Sequence, residues 1–364
     1  MEQVDINHRE SLLNDAIEFG KVSRRSLLFA GAAMSGAGLV QTVNAADAPA
    51  PAAAGGKKVR IGIPLNYGPF NQPWRRGCWQ LVKTVLDMGG EPVCIRGEPS
   101  KTSEQDVERA LMDRKIDALV MGIYSLESET AYIADEAKKR GIPTVGFAVS
   151  VKDSPSVTED TWGTATTLGY YVHNALERRG TIVQTAEDKG FYSPFDQEAD
   201  MLDLMTKYET RMKMLPFMPG TVSTQDQISK GRDNVLALLQ ANPKPGSVNA
   251  IVSWWWPLIV GAGQALQQAG RKDVRLFNHY FSDQLLTDMA AKKYPVEFCT
   301  DVPWHLLGKK TGELAMALAR GQKLAPDRYV VPVTAITQDK AGAALVEVQK
   351  MDKEAIALLG KYGG

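Results

Sequence analysis

Nine short runs rich in apolar and β-branched residues recur between Val59 and Val302. They are VRIGIPL (59–65), EPVCI (91–95), DALVMGI (117–123), IPTVGFAV (142–149), TIVQTAE (181–187), MKMLPFM (212–218), NAIVSWW (249–255), VRLFNHY (274–280) and VEFCTDV (296–302). Amphipathic segments such as SEQDVERALMDRK, SETAYIADEAKKRG and DQEADMLDLMTKYETR alternate with them. A strand that is apolar on both faces must be covered on both, and a helix between consecutive strands sets them parallel. The pattern therefore restricts the chain to a doubly wound α/β fold. Helix ends are expected where cations precede glycine, at Lys139-Arg140-Gly141 and Arg178-Arg179-Gly180. There the cations meet the negative end of the helix dipole, and glycine takes a left-handed cap.

Nine strands with this much crossover helix divide more readily into two sheets than one. The polar stretch SVKDSPSVTEDTWG (150–163), which contains Pro155, is the natural seam. The expected division is a first lobe of 58–155 plus 302–326 and a second of 156–301 plus 327–364, joined by a hinge. In open α/β sheets ligands sit beyond the carboxyl ends of the strands, so two such lobes enclose a cleft.

The N-terminus reads as an export signal rather than as part of the fold. Ser23-Arg24-Arg25 precedes a Gly/Ala-rich apolar run that ends at Val43-Asn44-Ala45, a cleavage-like spacing of small residues. The paired arginines suggest the twin-arginine class, which makes 1–45 a signal peptide, 46–57 a disordered leader and the periplasm the destination. Lys+Arg and Asp+Glu balance at 42 each, so the chain lacks the basic excess of a nucleic-acid binder. Cys78, Cys94 and Cys299 show no metal-ligand spacing and read as buried free thiols.

The stretches KKVRIGIPL followed by PW, DALVMG, KKRGIPTVGF and NAIVSWWWPLIVGAGQALQQAGRKDVRLFNHY resemble the type I periplasmic binding proteins, the family of ribose-binding protein. The resemblance runs from about Lys58 to Gly321 and implies two doubly wound parallel-sheet lobes closing on one small organic ligand. It also implies a monomer that docks on an ABC permease. By matching position, the family's ligand contacts fall on Trp74, Ala148, Val149, Asp196, Trp255, Tyr280 and Asp301. The sugar binders' Asp-Arg pair is replaced here by Ala148-Val149, and most of the groups that read sugar hydroxyls are missing. In their place stand aromatic rings (Trp74, Trp255, Tyr280) and carboxylates (Asp196, Asp301), with Phe70, Tyr124 and Trp162 at neighbouring element ends. Rings around anions suit a compact or methylated cation, and they also stack on a sugar or polyol face. HYFSDQLL and CTDVPWHLLGKKTGELAMALARGQ are similar to the corresponding region of the TorT trimethylamine N-oxide sensors, which implies the periplasmic domain of a membrane histidine kinase as the alternative partner.

In SWWWPLIVGAGQAL (253–266), strand alternation would turn Trp255 to the cleft and Trp254 and Trp256 the other way. The glycines behind them lack nucleotide-loop spacing and read as allowing close helix–sheet packing. His279 and His305 read as packing or turn residues. No GxSxG, HExxH or Cys/His cluster is present. The chain is therefore expected to be a binding protein, not an enzyme, with no cofactor and no metal.

Overall fold

The computed structural model describes residues 58–363 apart from 66, 68–71, 98–102, 123–126, 191 and 221–225, and apart from the side chains of 127–129. The expected signal and leader (1–57), Phe70 and Tyr124 lie outside the described residues.

The first sheet has the order β12-β5-β4-β3-β1-β2, with every neighbouring pair parallel. Its strands are β1 (Arg60–Leu65), β2 (Glu91–Arg96), β3 (Ala118–Met121), β4 (Thr144–Phe147), β5 (Ser156–Glu159) and β12 (Arg328–Val331). The helices α1 (Gln72–Asp87), α2 (Glu104–Met112), α3 (Glu127–Lys139) and α9 (Trp304–Ala319) accompany it. β1, β3 and β4 are buried along almost their whole length, which is why their sequences run apolar without alternation.

The second sheet runs β13-β11-β10-β9-β6-β7, with β8 (Met218–Pro219) also on β6. It contains β6 (Gly180–Ala186), β7 (Met212–Met214), β9 (Ala250–Ser253), β10 (Arg275–His279), β11 (Val296–Asp301) and β13 (Thr334–Thr337), the last antiparallel to β11. Its helices are α4 (Thr161–Ala175), α5 (Ser193–Lys207), α6 (Gln227–Ala241), α7 (Trp256–Gln268) and α8 (Asp283–Ala290). The last helix, α10 (Ala341–Leu359), packs on both α1 and α8 and so touches both halves. Among the described residues no helix is long and apolar enough to cross a membrane.

All nine sequence-predicted strands form, and the type I periplasmic binding protein architecture of two parallel-dominated sheets follows from their order. Three further strands were not predicted, and two of them move the lobe boundaries. Ser156–Glu159 is a strand of the first sheet, hydrogen-bonded to β4, so the first crossing follows Glu159 rather than residue 155. Arg328–Val331 pairs with β5 and also belongs to the first sheet, not to the second lobe as expected. The chain thus passes between the sheets three times: after Glu159, after Asp301, and between Val331 and Thr334.

Helix ends are mixed. α3 stops at Lys139, and Gly141 takes φ +72°, as the cap signal predicts. α4 stops at Ala175, ahead of the expected Arg178-Arg179-Gly180 end. A turn with Glu177 and Arg178 at positive φ intervenes, and Gly180 (φ +118°) opens β6 instead. Of the glycines of VGAGQAL, Gly261 serves a helix–helix contact rather than the sheet, and Gly263 makes room for the Tyr294 ring. A Cβ on Gly261 would lie 2.1 Å from the Ile228 carbonyl oxygen of α6, and one on Gly231 would lie 2.6 Å from that of Leu258 in α7.

Candidate functional site

The carboxyl ends of both sheets converge on a cluster of buried rings. Trp74 stands in the first turn of α1, Tyr192 ends the β6–α5 connection and Phe195 follows within α5. Trp255 and Tyr280 lie just beyond β9 and β10, and Trp304 begins α9 at the second crossing. All six are less than a tenth exposed. Trp74 meets Tyr192 and Trp304 edge-on, with centroids 6.3 and 5.7 Å apart. Phe195 lies 4.9 Å from Tyr192 and 5.6 Å from Tyr280, and Trp255 is 5.6 Å from Tyr280. Edge-to-face contacts at such distances are the favoured ring geometry.

Tyr280 has φ +62°, unusual for a residue with a Cβ and worth about 1–3 kcal/mol of strain. That backbone turn leaves Tyr280 N–H donating to the Thr300 carbonyl, 2.9 Å away. It also puts the phenol hydroxyl 2.6 Å from Glu159 Oε2. Tyr192 donates to the other oxygen, Oε1, also at 2.6 Å. Glu159 ends β5, so one carboxylate of the first sheet anchors two phenols of the second. Burial and the adjacent carboxylate push both phenols well above their ordinary range.

Trp255 Nε1 donates to Gln227 Oε1 (2.9 Å), and the same amide donates through Nε2 to Glu187. Burial pushes the Glu187 carboxyl up to about 8, against the opposing Gln227 hydrogen bond. Asp301 ends β11 and accepts from Phe281 N–H at 3.2 Å. Burial lifts it to about 7 even though the Arg76 cation pulls it down. Arg76, itself buried, donates to the Phe281 carbonyl across the two halves at 3.4 Å.

Behind Tyr280 lies a second group of polar side chains. Glu159, Glu198 and His279 bring one ligand-type atom each within 4.8 Å of one another, and all three are buried. Burial holds His279 below its ordinary value, and burial with the Glu159 charge raises Glu198 far above its own.

The structure therefore gathers Trp74, Trp255, Tyr280 and Asp301, four of the eight residues singled out in the sequence. Asp196 does not join them: half-buried, it spends Oδ2 on Gly190 N–H at 2.7 Å, bracing its own loop. Trp162 is 65 % exposed in the first turn of α4 and makes no ring contact among the described residues. Ala148 and Val149 are buried backbone-lining positions after β4, Ala148 with φ +59°. The tryptophan triplet is not strand at all: β9 ends at Ser253, Trp255 caps α7, and Trp256 is its first residue. Trp254 lies fully buried with Nε1 on Gln184 Oε1 at 2.7 Å. Sequence reasoning missed Glu159, Glu187, Tyr192, Phe195, Glu198, Gln227 and Trp304. Of these only Tyr192, Phe195 and Trp304 carried a signal, being aromatic at strand-to-helix turns. The three cysteines are free.

Residues 64–323 match the family model described as periplasmic binding protein domain. No curated protein matches the chain in sequence. Several solved structures share the fold. The periplasmic binding protein component of the arabinose ABC transporter from Shewanella, bound to arabinofuranose, has TM-score 0.70 and 15% identity over 82% of this chain and 98% of its own. An ABC transporter solute-binding protein from Agrobacterium vitis with bound allitol has TM-score 0.66 and 23% identity, covering 80% and 99%. An ABC sugar transporter subunit from Rhodobacter sphaeroides gives 0.67 and 18%, covering 77% and 98%.

Proposed function

Because the chain belongs to the periplasmic binding protein domain family, whose members bind ligands and are not enzymes, we propose that it captures one small organic solute among Trp74, Tyr192, Trp255, Tyr280 and Trp304. The carrying observation is the buried ring cluster at the carboxyl ends of both sheets, where this fold holds its ligands. Closing the halves around the solute would create the surface that a membrane partner reads, and the partner we propose is an ABC permease.

Ring faces backed by carboxylates favour a compact methylated cation or an N-oxide. The hydroxyls of Tyr192 and Tyr280 and the indole of Trp255 are already committed to Glu159 and Gln227. What then faces a solute is ring surface, which attracts a cationic head by about 0.5–2 kcal/mol per good ring. For such a ligand a histidine-kinase periplasmic domain is the alternative partner. A sugar or polyol is the second reading, supported by fold relatives that hold allitol and arabinofuranose. Thermal shift and calorimetry against methylated amines and N-oxides, polyols and pentoses test both. Stabilisation by the methylated compounds alone supports the first reading, and stabilisation by polyols or pentoses alone replaces it with the second. No stabilisation by any of them counts against the ring cluster as the ligand site.

A further inference from the structure

We propose that Glu159, Glu198 and His279 bind one divalent first-row metal ion, with Zn²⁺ the best fit to their donor set. The site lies behind the ring cluster and does not depend on which solute, if any, the rings hold. His279 Nε2 stands 3.5 Å from Glu198 Oε1 and 3.7 Å from Glu159 Oε2. Atoms bound tetrahedrally to Zn²⁺ at about 2.0–2.1 Å are about 3.4 Å apart, so these separations need only a small contraction. Unlike most buried polar atoms, both oxygens of Glu198 and Nε2 of His279 lack a hydrogen-bond partner among the described residues. A cation between two facing buried acids would let both ionise, and no lysine or arginine forms an ion pair with either among the described residues.

The surroundings orient the donors as metal sites do. His279 Nδ1 lies 2.9 Å from Thr300 Oγ1, which leaves Nε2 as the nitrogen aimed at the two carboxylates. Glu159 is fixed by the hydroxyls of Tyr192 and Tyr280. Hydrogen bonds of this kind to the outer atoms of metal ligands set ligand orientation and basicity. The three ligands come from β5, α5 and β10, so the ion would tie the first sheet to two elements of the second. Two anionic oxygens and one neutral imidazole nitrogen suit a borderline ion such as Zn²⁺ better than the all-oxygen cages of Ca²⁺ or Mg²⁺.

The test uses the purified full chain, stripped with a chelator and dialysed. Zn²⁺ is added to the native protein and, in parallel, during refolding. The expected result is one Zn²⁺ per chain by elemental analysis and a rise in melting temperature. Glu198→Gln should bind at least about tenfold more weakly, and His279→Gln should do the same, whereas His305→Gln should bind like wild type. Gln keeps the shape of Glu198 but cannot bind the metal as an anion, so without metal Glu198→Gln should melt no lower than wild type, and with Zn²⁺ wild type should melt higher. A merely structural role for Glu198 gives no such crossover. Failure of stoichiometric uptake by either route, or equal affinity in wild type and Glu198→Gln, would overturn the proposal.

Discussion

Two adjacent tryptophans show how little spacing separates packing from recognition. Trp254 is sealed in the core, its indole N–H on Gln184, while Trp255 one residue later meets Tyr280 edge-on and reaches Gln227. Trp255→Ala should weaken solute binding more than tenfold and leave the circular dichroism spectrum unchanged, because the ring forms a wall of the cluster rather than the floor of a sheet. Calorimetry of wild type and variant decides this, and equal affinities would remove Trp255 from the site. Trp74, Trp255 and Tyr280 were legible in the sequence because aromatic residues at strand-to-helix turns are conspicuous there. Glu159 was not: it follows SVT in a polar stretch that reads as linker, and only its pairing with Val331 of β12 shows that it ends a strand. Asp196 misled for the opposite reason. A carboxylate in the first turn of a helix is explained by local capping of backbone N–H groups, and Gly190 is what it serves.

The long apolar strands and the amphipathic helices followed directly from their periodicity. The missed strands, Ser156–Glu159, Arg328–Val331 and Thr334–Thr337, have four residues each. The last two are edge strands with exposed positions, where neither apolar run nor clean alternation is required. Their pairing is fixed by the sheet they join. Contact between helices was equally hidden. α6 and α7 meet where Gly231 and Gly261 bring backbone to backbone, and a methyl at Gly261 would fall 2.1 Å from a carbonyl oxygen that cannot rotate away. Gly261→Ala should therefore cost about 1–3 kcal/mol through displacement of α6. In a denaturant melt this appears as a lower midpoint with an unchanged slope. A midpoint equal to wild type would mean that the two helices separate freely. α7 also begins at Trp256, directly after the cluster, so the same variant should reduce solute affinity even though Gly261 touches no ligand.

Across the whole molecule, burial of acids sets how stability depends on pH. Glu187 rises from 4.5 to about 8 and Asp301 from 3.8 to about 7. Both are raised, so the folded protein binds protons that the unfolded chain has released, and stability must fall as pH increases through that window. Their contribution is complete below about pH 4 and lost above about pH 8. Burial lowers His173, His279 and His305, which opposes this trend below about pH 6.5. Melting temperature should therefore decline between about pH 6.5 and 8.5, and more shallowly in Glu187→Gln, which cannot ionise. A rise over the same range in wild type would show that both acids are charged in the native state.

Several polar links cross between the two halves, beginning with the Tyr192 and Tyr280 hydroxyls on Glu159. Arg76 of α1 donates to the Phe281 carbonyl, Asp283 N–H reaches Gln72 Oε1 at 3.4 Å, and Arg75 stands 3.3 Å from Asp352 of α10. Rings complete the contact, Trp74 from the first half against Tyr192 of the second. A seam built of separate contacts suits a hinge that must open for a solute to enter. Arg76 is a buried cation in that seam, close enough to Asp301 to draw its carboxyl downward. Removing it deletes the bridge and leaves Asp301 more readily neutral, so both effects weaken closure without touching either core. Arg76→Ala should shift the protein toward open forms, giving a larger radius of gyration by small-angle scattering than wild type in the absence of added solute. Its affinity for any solute should fall in proportion to the closed fraction lost, since a ligand must then supply the free energy of closing as well as of binding. Identical scattering profiles for the two proteins would show that the rings and the hydrogen bonds of Glu159 hold the halves together without Arg76, and would move the hinge's control to them.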